Sequence, residues 1–133
     1  MRTVIQMLSA SILCLAAVGF YEARSEPFID QIAVMYSVQN RVEQGFQETH
    51  CKALYEPGAY SYLWDDIPDV VLAEERVNYG DAIRGAILVY FKLVPDPTCG
   101  ATDYHERTTD PEWPYIVTLK TKSFIFYKRT TAP

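Results

Sequence analysis

Histidine, cysteine and basic charge are all scarce in this chain. Two histidines and three cysteines in 133 residues leave little material for a metal cluster or a dense disulfide framework. Twelve Lys and Arg against 17 Asp and Glu give a net charge of -5, which excludes the basic face that nucleic-acid binding requires. No P-loop, dinucleotide-binding glycine motif, metalloprotease helix motif or nucleophile elbow is present. No apolar run reaches the roughly 18 to 20 residues of a membrane span without flanking cleavage signals. What is present is 49% hydrophobic and 14% aromatic residues, enough to bury one core and too many for wholesale disorder.

The N-terminus has the layout of a secretory signal. Arg2 precedes an apolar stretch from Val4 to Phe20, and Ala23-Arg24-Ser25 offers small residues at the two positions a signal peptidase reads. An earlier cut after Ala17-Val18-Gly19 fits nearly as well, and an uncleaved anchor or a buried helix is the alternative. This reading makes residues 1–25 a leader and 26–133 a single secreted, extracellular domain. Cys14 would then be lost, and Cys51 and Cys99 would form an even pair in an oxidising compartment. Closing that loop would add roughly 4 kcal/mol of stability on the chain-entropy estimate. Zinc held by His50, Cys51, Cys99 and His105 is the competing use, but neither half has the close ligand spacing of such sites. The disulfide is the preferred expectation, with no metal and no cofactor.

Apolar residues Ile32, Met35, Tyr36, Val42 and Phe46 recur at three- and four-residue steps, predicting an amphipathic helix from Phe28 to about Gln47. A short helix over His50–Tyr55 and a turn at Glu56-Pro57-Gly58 follow, then an alternating aromatic strand over Ala59–Trp64. Pro68 takes the acidic segment after it out of any sheet. Val70–Val77 suits helix or strand. Asp81–Leu93 reads as a second amphipathic helix, with Gly85 and Ala86 leaving one flank narrow, and Pro95 and Pro97 stop it. Pro95–Pro114 reads as a loop, from which Tyr104–Arg107 could supply a strand. Tyr115–Lys128 is the strongest strand signal, with a bend or bulge marked by Ser123. The expected class is α+β, with helices packed on a curved, mostly antiparallel sheet.

Three segments in order carry a resemblance: Glu56-Pro57-Gly58-Ala59-Tyr60-Ser61-Tyr62 entering a strand, Tyr79-Gly80-Asp81-Ala82-Ile83 with Arg84-Gly85-Ala86-Ile87 opening a helix, and the long aromatic strand. The chain resembles the NTF2-like (SnoaL-like) superfamily over about residues 28–91. The resemblance implies a conical sheet around an apolar cavity; a cystatin-like helix-on-sheet is its plain competitor. Tyr36, Tyr60, Tyr62, Trp64, Ile87 and Phe91 would line the cavity. The residues after Leu93 are too few for the strands that fold usually adds.

Chemistry has few candidates. Tyr36, Asp65, Asp66 and His105 could act as acid or base if buried, yet each also suits a core edge, a solvated turn or a surface segment. The expectation is therefore a non-catalytic domain that binds a small apolar ligand or a protein partner. A cofactor-free lyase or isomerase and a surface-acting extracellular effector are the alternatives. Lys120, Lys122, Lys128 and Arg129 gather in the C-terminal strand of an acidic chain, so a homodimer or protein partner could dock there. Nucleic acid and membrane are not expected partners.

Overall fold

The structure, a computed structural model, describes residues 3–23, 26–54 and 76–130. The expected strand over Ala59–Trp64, with Tyr60, Tyr62 and Trp64, and the carboxylates Asp65 and Asp66 lie outside those residues. The elements run α1 (Val4–Ala23), α2 (Phe28–Glu43), α3 (His50–Leu54), α4 (Arg76–Tyr90), β1 (Asp103–Glu106), β2 (Ile116–Lys120) and β3 (Phe124–Lys128). The α+β class holds: the helices pack together and a small antiparallel sheet, in the order β1-β3-β2, closes one side.

The apolar N-terminal stretch is part of the core. Thr3 and Gln6 form a reciprocal capping box, each side chain bonding the other's backbone N–H, so α1 starts cleanly. Its first half is exposed, with Val4 at 81% and Ile5 at 74%. Its second half is enclosed by α2 and α4, and Leu15, Ala16, Val18 and Phe20 are fully or almost fully buried. Gly19 is where α1 meets α2: a Cβ there would collide with the Met35 methyl. Gly85 gives α4 the same closeness, because its Cβ would lie 3.2 Å from Met35 Cε and 3.3 Å from Ile32 Cδ1. By length and composition α1 is also, among the described residues, the one helix apolar enough to cross a membrane.

Helix ends explain where the expected boundaries shift. Helix α2 stops at Glu43 rather than Gln47, because Gly45 at φ +84° turns the chain and the Phe46 N–H bonds back to the Arg41 carbonyl. Helix α4 begins at Arg76 and ends at Tyr90 with the same motif, in which Lys92 takes φ +53° and the Leu93 N–H reaches the Leu88 carbonyl. Ala82, Ala86 and Val89 face inward, whereas Ile87 and Phe91 are exposed.

The long C-terminal strand is two strands. Thr121 and Phe124 close a tight turn, and a bulge between Val117 and Leu119 reverses the side-chain alternation. Leu119 therefore joins Phe126 on the helix side although it shares parity with Val117. Strand β1 supplies the third strand, within the segment expected as loop. Among the described residues β3 lies between β1 and β2, and β2, with Ile116 at 59% exposure, is an outer strand.

Cysteine pairing differs from the expectation. Cys51 is bonded to Cys14, and Cys99 is free and exposed. The pairing expected from the sequence assumed that Cys14 leaves with a leader; with α1 folded against α3, Cys14 is the thiol at hand.

Candidate active site

One carboxyl in the helical layer is anomalous. Glu22 is the only charged residue between Val4 and Ala23, in the last turn of α1. Its Oε1 is buried without a hydrogen-bond partner. Burial pushes its pKa from 4.5 to about 7; the neighbouring Tyr104 hydroxyl works against that rise, and the like charge of Glu106 adds to it. Glu22 is thus a carboxylic acid that keeps its proton near neutral pH.

Strand β1 delivers Tyr104 to that carboxyl. Tyr104 and Glu106 alternate to one face of β1, opposite Phe126 and Phe124 of β3. The Tyr104 ring packs edge-on against Phe124 at 5.4 Å between centroids and is tilted over Phe126 at 5.6 Å, so two aromatic contacts hold the ring.

An ionic clamp sets the start of β1. Asp103 accepts from Arg41 Nη2 at 2.8 Å and from Arg129 Nε at 2.7 Å, and Thr102 Oγ1 bonds the same carboxylate at 2.8 Å. Burial alone would raise the Asp103 pKa, but the hydrogen bond from Arg129, the charge of Arg41 and the Thr102 hydroxyl hold it below the usual range. Arg41 Nε also donates to the Thr102 carbonyl, and Asn40 Nδ2 to the Ala101 carbonyl at 2.9 Å. The end of α2 therefore grips residues 101–103, immediately before Tyr104. At the other end of the sheet, Ser123 Oγ donates to Glu26 at 2.8 Å, tying the hairpin turn to the α1–α2 junction.

The side chains singled out from sequence are scattered. Tyr36 is buried in α2 and donates to the Val94 carbonyl at 2.5 Å, beside a surface pocket shared with Asn40, Glu43 and Lys92. His105 is on the other face of β1, stacked on Tyr127, with Nε2 2.7 Å from the Tyr127 hydroxyl. His50 Nε2 lies 2.6 Å from Gln39 Oε1, and burial lowers its pKa. None of these meets Glu22. Glu22 does not stand out as a candidate in the sequence, because it sits in the segment that reads as a signal. The available cue was a lone acid at the end of an otherwise uncharged helix-length stretch.

Comparison with known proteins bears on this geometry. Residues 25–127 match the family described as Cell Wall Hydrolase. No curated protein matches. Among solved structures, the catalytic domain of the Bacillus cereus SleB protein matches with a TM-score of 0.70 and 27% identity, covering 90% of this chain and 91% of that one. Residues 25–133 are 109 of the 133, fewer than nine in ten, so the structural likeness takes in part of α1. These matches overturn the NTF2-like resemblance, which rests on short segments of which the first, residues 56–62, lies outside the described residues. With it goes the non-catalytic ligand binder, along with the lyase and the effector. The chain belongs to the cell wall hydrolase family.

Proposed function

We propose that the protein is a peptidoglycan-hydrolysing enzyme that cleaves a glycosidic bond, with Glu22 as general acid. The observation that carries this is the buried Glu22 carboxyl with its pKa near 7. A glycosidic oxygen leaves poorly as an alkoxide, and a carboxylic acid still protonated at neutral pH supplies the proton it needs. Tyr104 steadies the acid from the sheet side. The family is described as Cell Wall Hydrolase and the similar SleB structure as a catalytic domain, which supports an enzyme with a polymeric wall substrate.

Such a substrate lies outside the cytoplasm. An apolar N-terminal helix suits export, and the Cys14–Cys51 bond suits an oxidising compartment. In the working enzyme α1 stays with the domain, since a cut near residue 25 would remove Glu22.

Purified peptidoglycan incubated with the enzyme tests the assignment. New reducing or modified sugar ends without new free amino groups are expected, and Glu22→Gln lowers their rate by at least 100-fold. New amino groups instead would mark an amidase or peptidase and end the proposal.

A further inference from the structure

We propose that Gln31 is a substrate-binding residue of the same site, its amide oxygen accepting a hydrogen bond from a donor on the sugar beside the scissile bond. This rests on Glu22 being the acid, and it adds a contact that holds the sugar against it.

Helix geometry places Gln31. Helices α1 and α2 pack on each other and are joined through residues 24–27 alone, so they run antiparallel. The Met35 methyl is seated at Gly19 of α1, where a Cβ would collide with it. Gln31 is four residues before Met35, one turn along the same face of α2. Glu22 is three residues after Gly19, about one turn along α1. In an antiparallel pair those two steps run the same way, so Gln31 and the turn holding Glu22 share one level. Ile32 marks the other flank: its Cδ1 would lie 3.3 Å from a Cβ on Gly85, so it is turned toward α4. The row of Gln31 and Met35 therefore faces α1.

The amide oxygen is open. Gln31 is 6% exposed, and its Oε1 is buried without a hydrogen-bond partner. Buried polar atoms are nearly always bonded, because the water they give up must be replaced. Gln39, two turns further along α2 and equally buried, shows the ordinary case: its Oε1 lies 2.6 Å from His50 Nε2, and its Nε2 donates to Glu43 at 3.0 Å. Ser37, Asn40 and Arg41 on the same helix are bonded as well. An unspent acceptor, fixed on a packed helix at the level of the acid, is suited to a ligand that brings its own donor. Wall sugars carry such donors as hydroxyls and acetamido N–H groups.

The test uses the full chain, soluble glycan strands and the variants Gln31→Met, Gln31→Leu and Glu22→Gln. Methionine keeps nearly the length and volume of glutamine without its amide. Gln31→Met should lower kcat/KM on the order of 10-fold. Its Tm should equal or exceed that of the wild type, because an unbonded buried acceptor is removed. With Glu22→Gln as the background, adding Gln31→Met should weaken binding of the strands by a similar factor. A kcat/KM within threefold of wild type in both Gln31 variants overturns the proposal, as does a loss of activity that comes with a lowered Tm in both. If Glu22→Gln is inactive while Gln31→Met is fully active, only the Gln31 contact fails. An active Glu22→Gln removes the acid on which the contact depends.

Discussion

Cys14 and Cys51 join the helix that carries Glu22 to the short helix α3 across a sequence separation of 37. Cys14 is two turns before Glu22 in α1, so the bond anchors the middle of the helix whose end holds the acid. On the chain-entropy estimate a loop of this length contributes about 3 to 4 kcal/mol. Denaturant unfolding with and without dithiothreitol should show that loss, and Cys51→Ser should reproduce it. Cys99→Ser, at an exposed free thiol, should change nothing. If reduction leaves the midpoint in place, the bond is absent in solution.

Removing residues 1–25 should cost the fold, not only a leader. The deletion strips out Leu15, Val18 and Phe20, each no more than 2% exposed, and opens the seat of Met35 against Gly19. Core losses of that size exceed the marginal stability of a small domain. The truncated chain should be insoluble or lack a cooperative unfolding transition. A soluble, cooperatively folded product would show that α1 is dispensable.

Activity and stability should both respond to the Glu22 proton. Catalysis by the protonated acid falls as pH rises through about 7. Stability follows the same proton: a carboxyl whose folded pKa is raised favours the folded state at low pH. That contribution declines between about 4.5 and 7 and is gone above. Glu22→Gln should therefore stabilise the protein at pH 8, by up to about 3 kcal/mol, and leave it nearly unchanged at pH 4. Chemical denaturation of both proteins at the two pH values measures this. A variant no more stable at pH 8 would mean that the carboxyl is not desolvated.

Asp103 should behave in the opposite sense. Its pKa is lowered, so its contribution is present above the usual carboxylate range and is lost as pH falls through the folded value. Asp103→Asn removes the anion from the buried pair with Arg41, which is 3% exposed, and breaking such a pair typically costs about 3 to 5 kcal/mol. The same variant loosens the start of β1, so Tyr104 should hold Glu22 less firmly and the alkaline limb of the activity profile should shift. An unshifted limb in a destabilised protein would confine Asp103 to a structural role.

Periodicity carried much of the helical frame in the sequence. The three- and four-residue recurrence from Ile32 to Val42 reports a helix whichever partners bury it, and Gly85 already marked a close approach. The bend near Ser123 was legible because turn chemistry is local, whereas a strand at Tyr104 was only an option within a segment that reads as loop. The site was not legible. Glu22 and Tyr104 are 82 positions apart, and no local pattern links a helix end to a strand in a presumed loop.

The sequence by itself determined the class, the acidic balance and the helix and strand periods, since these follow from side-chain chemistry and from neighbours a few residues away. Tertiary structure alone decided that an apolar N-terminal stretch is core and that Cys51 meets Cys14. It also decided that Glu22 holds a proton near pH 7. An apolar helix has the same composition whether it enters a lipid bilayer or lies between two other helices. A carboxyl's pKa is set by the water it has lost, which only packing can remove.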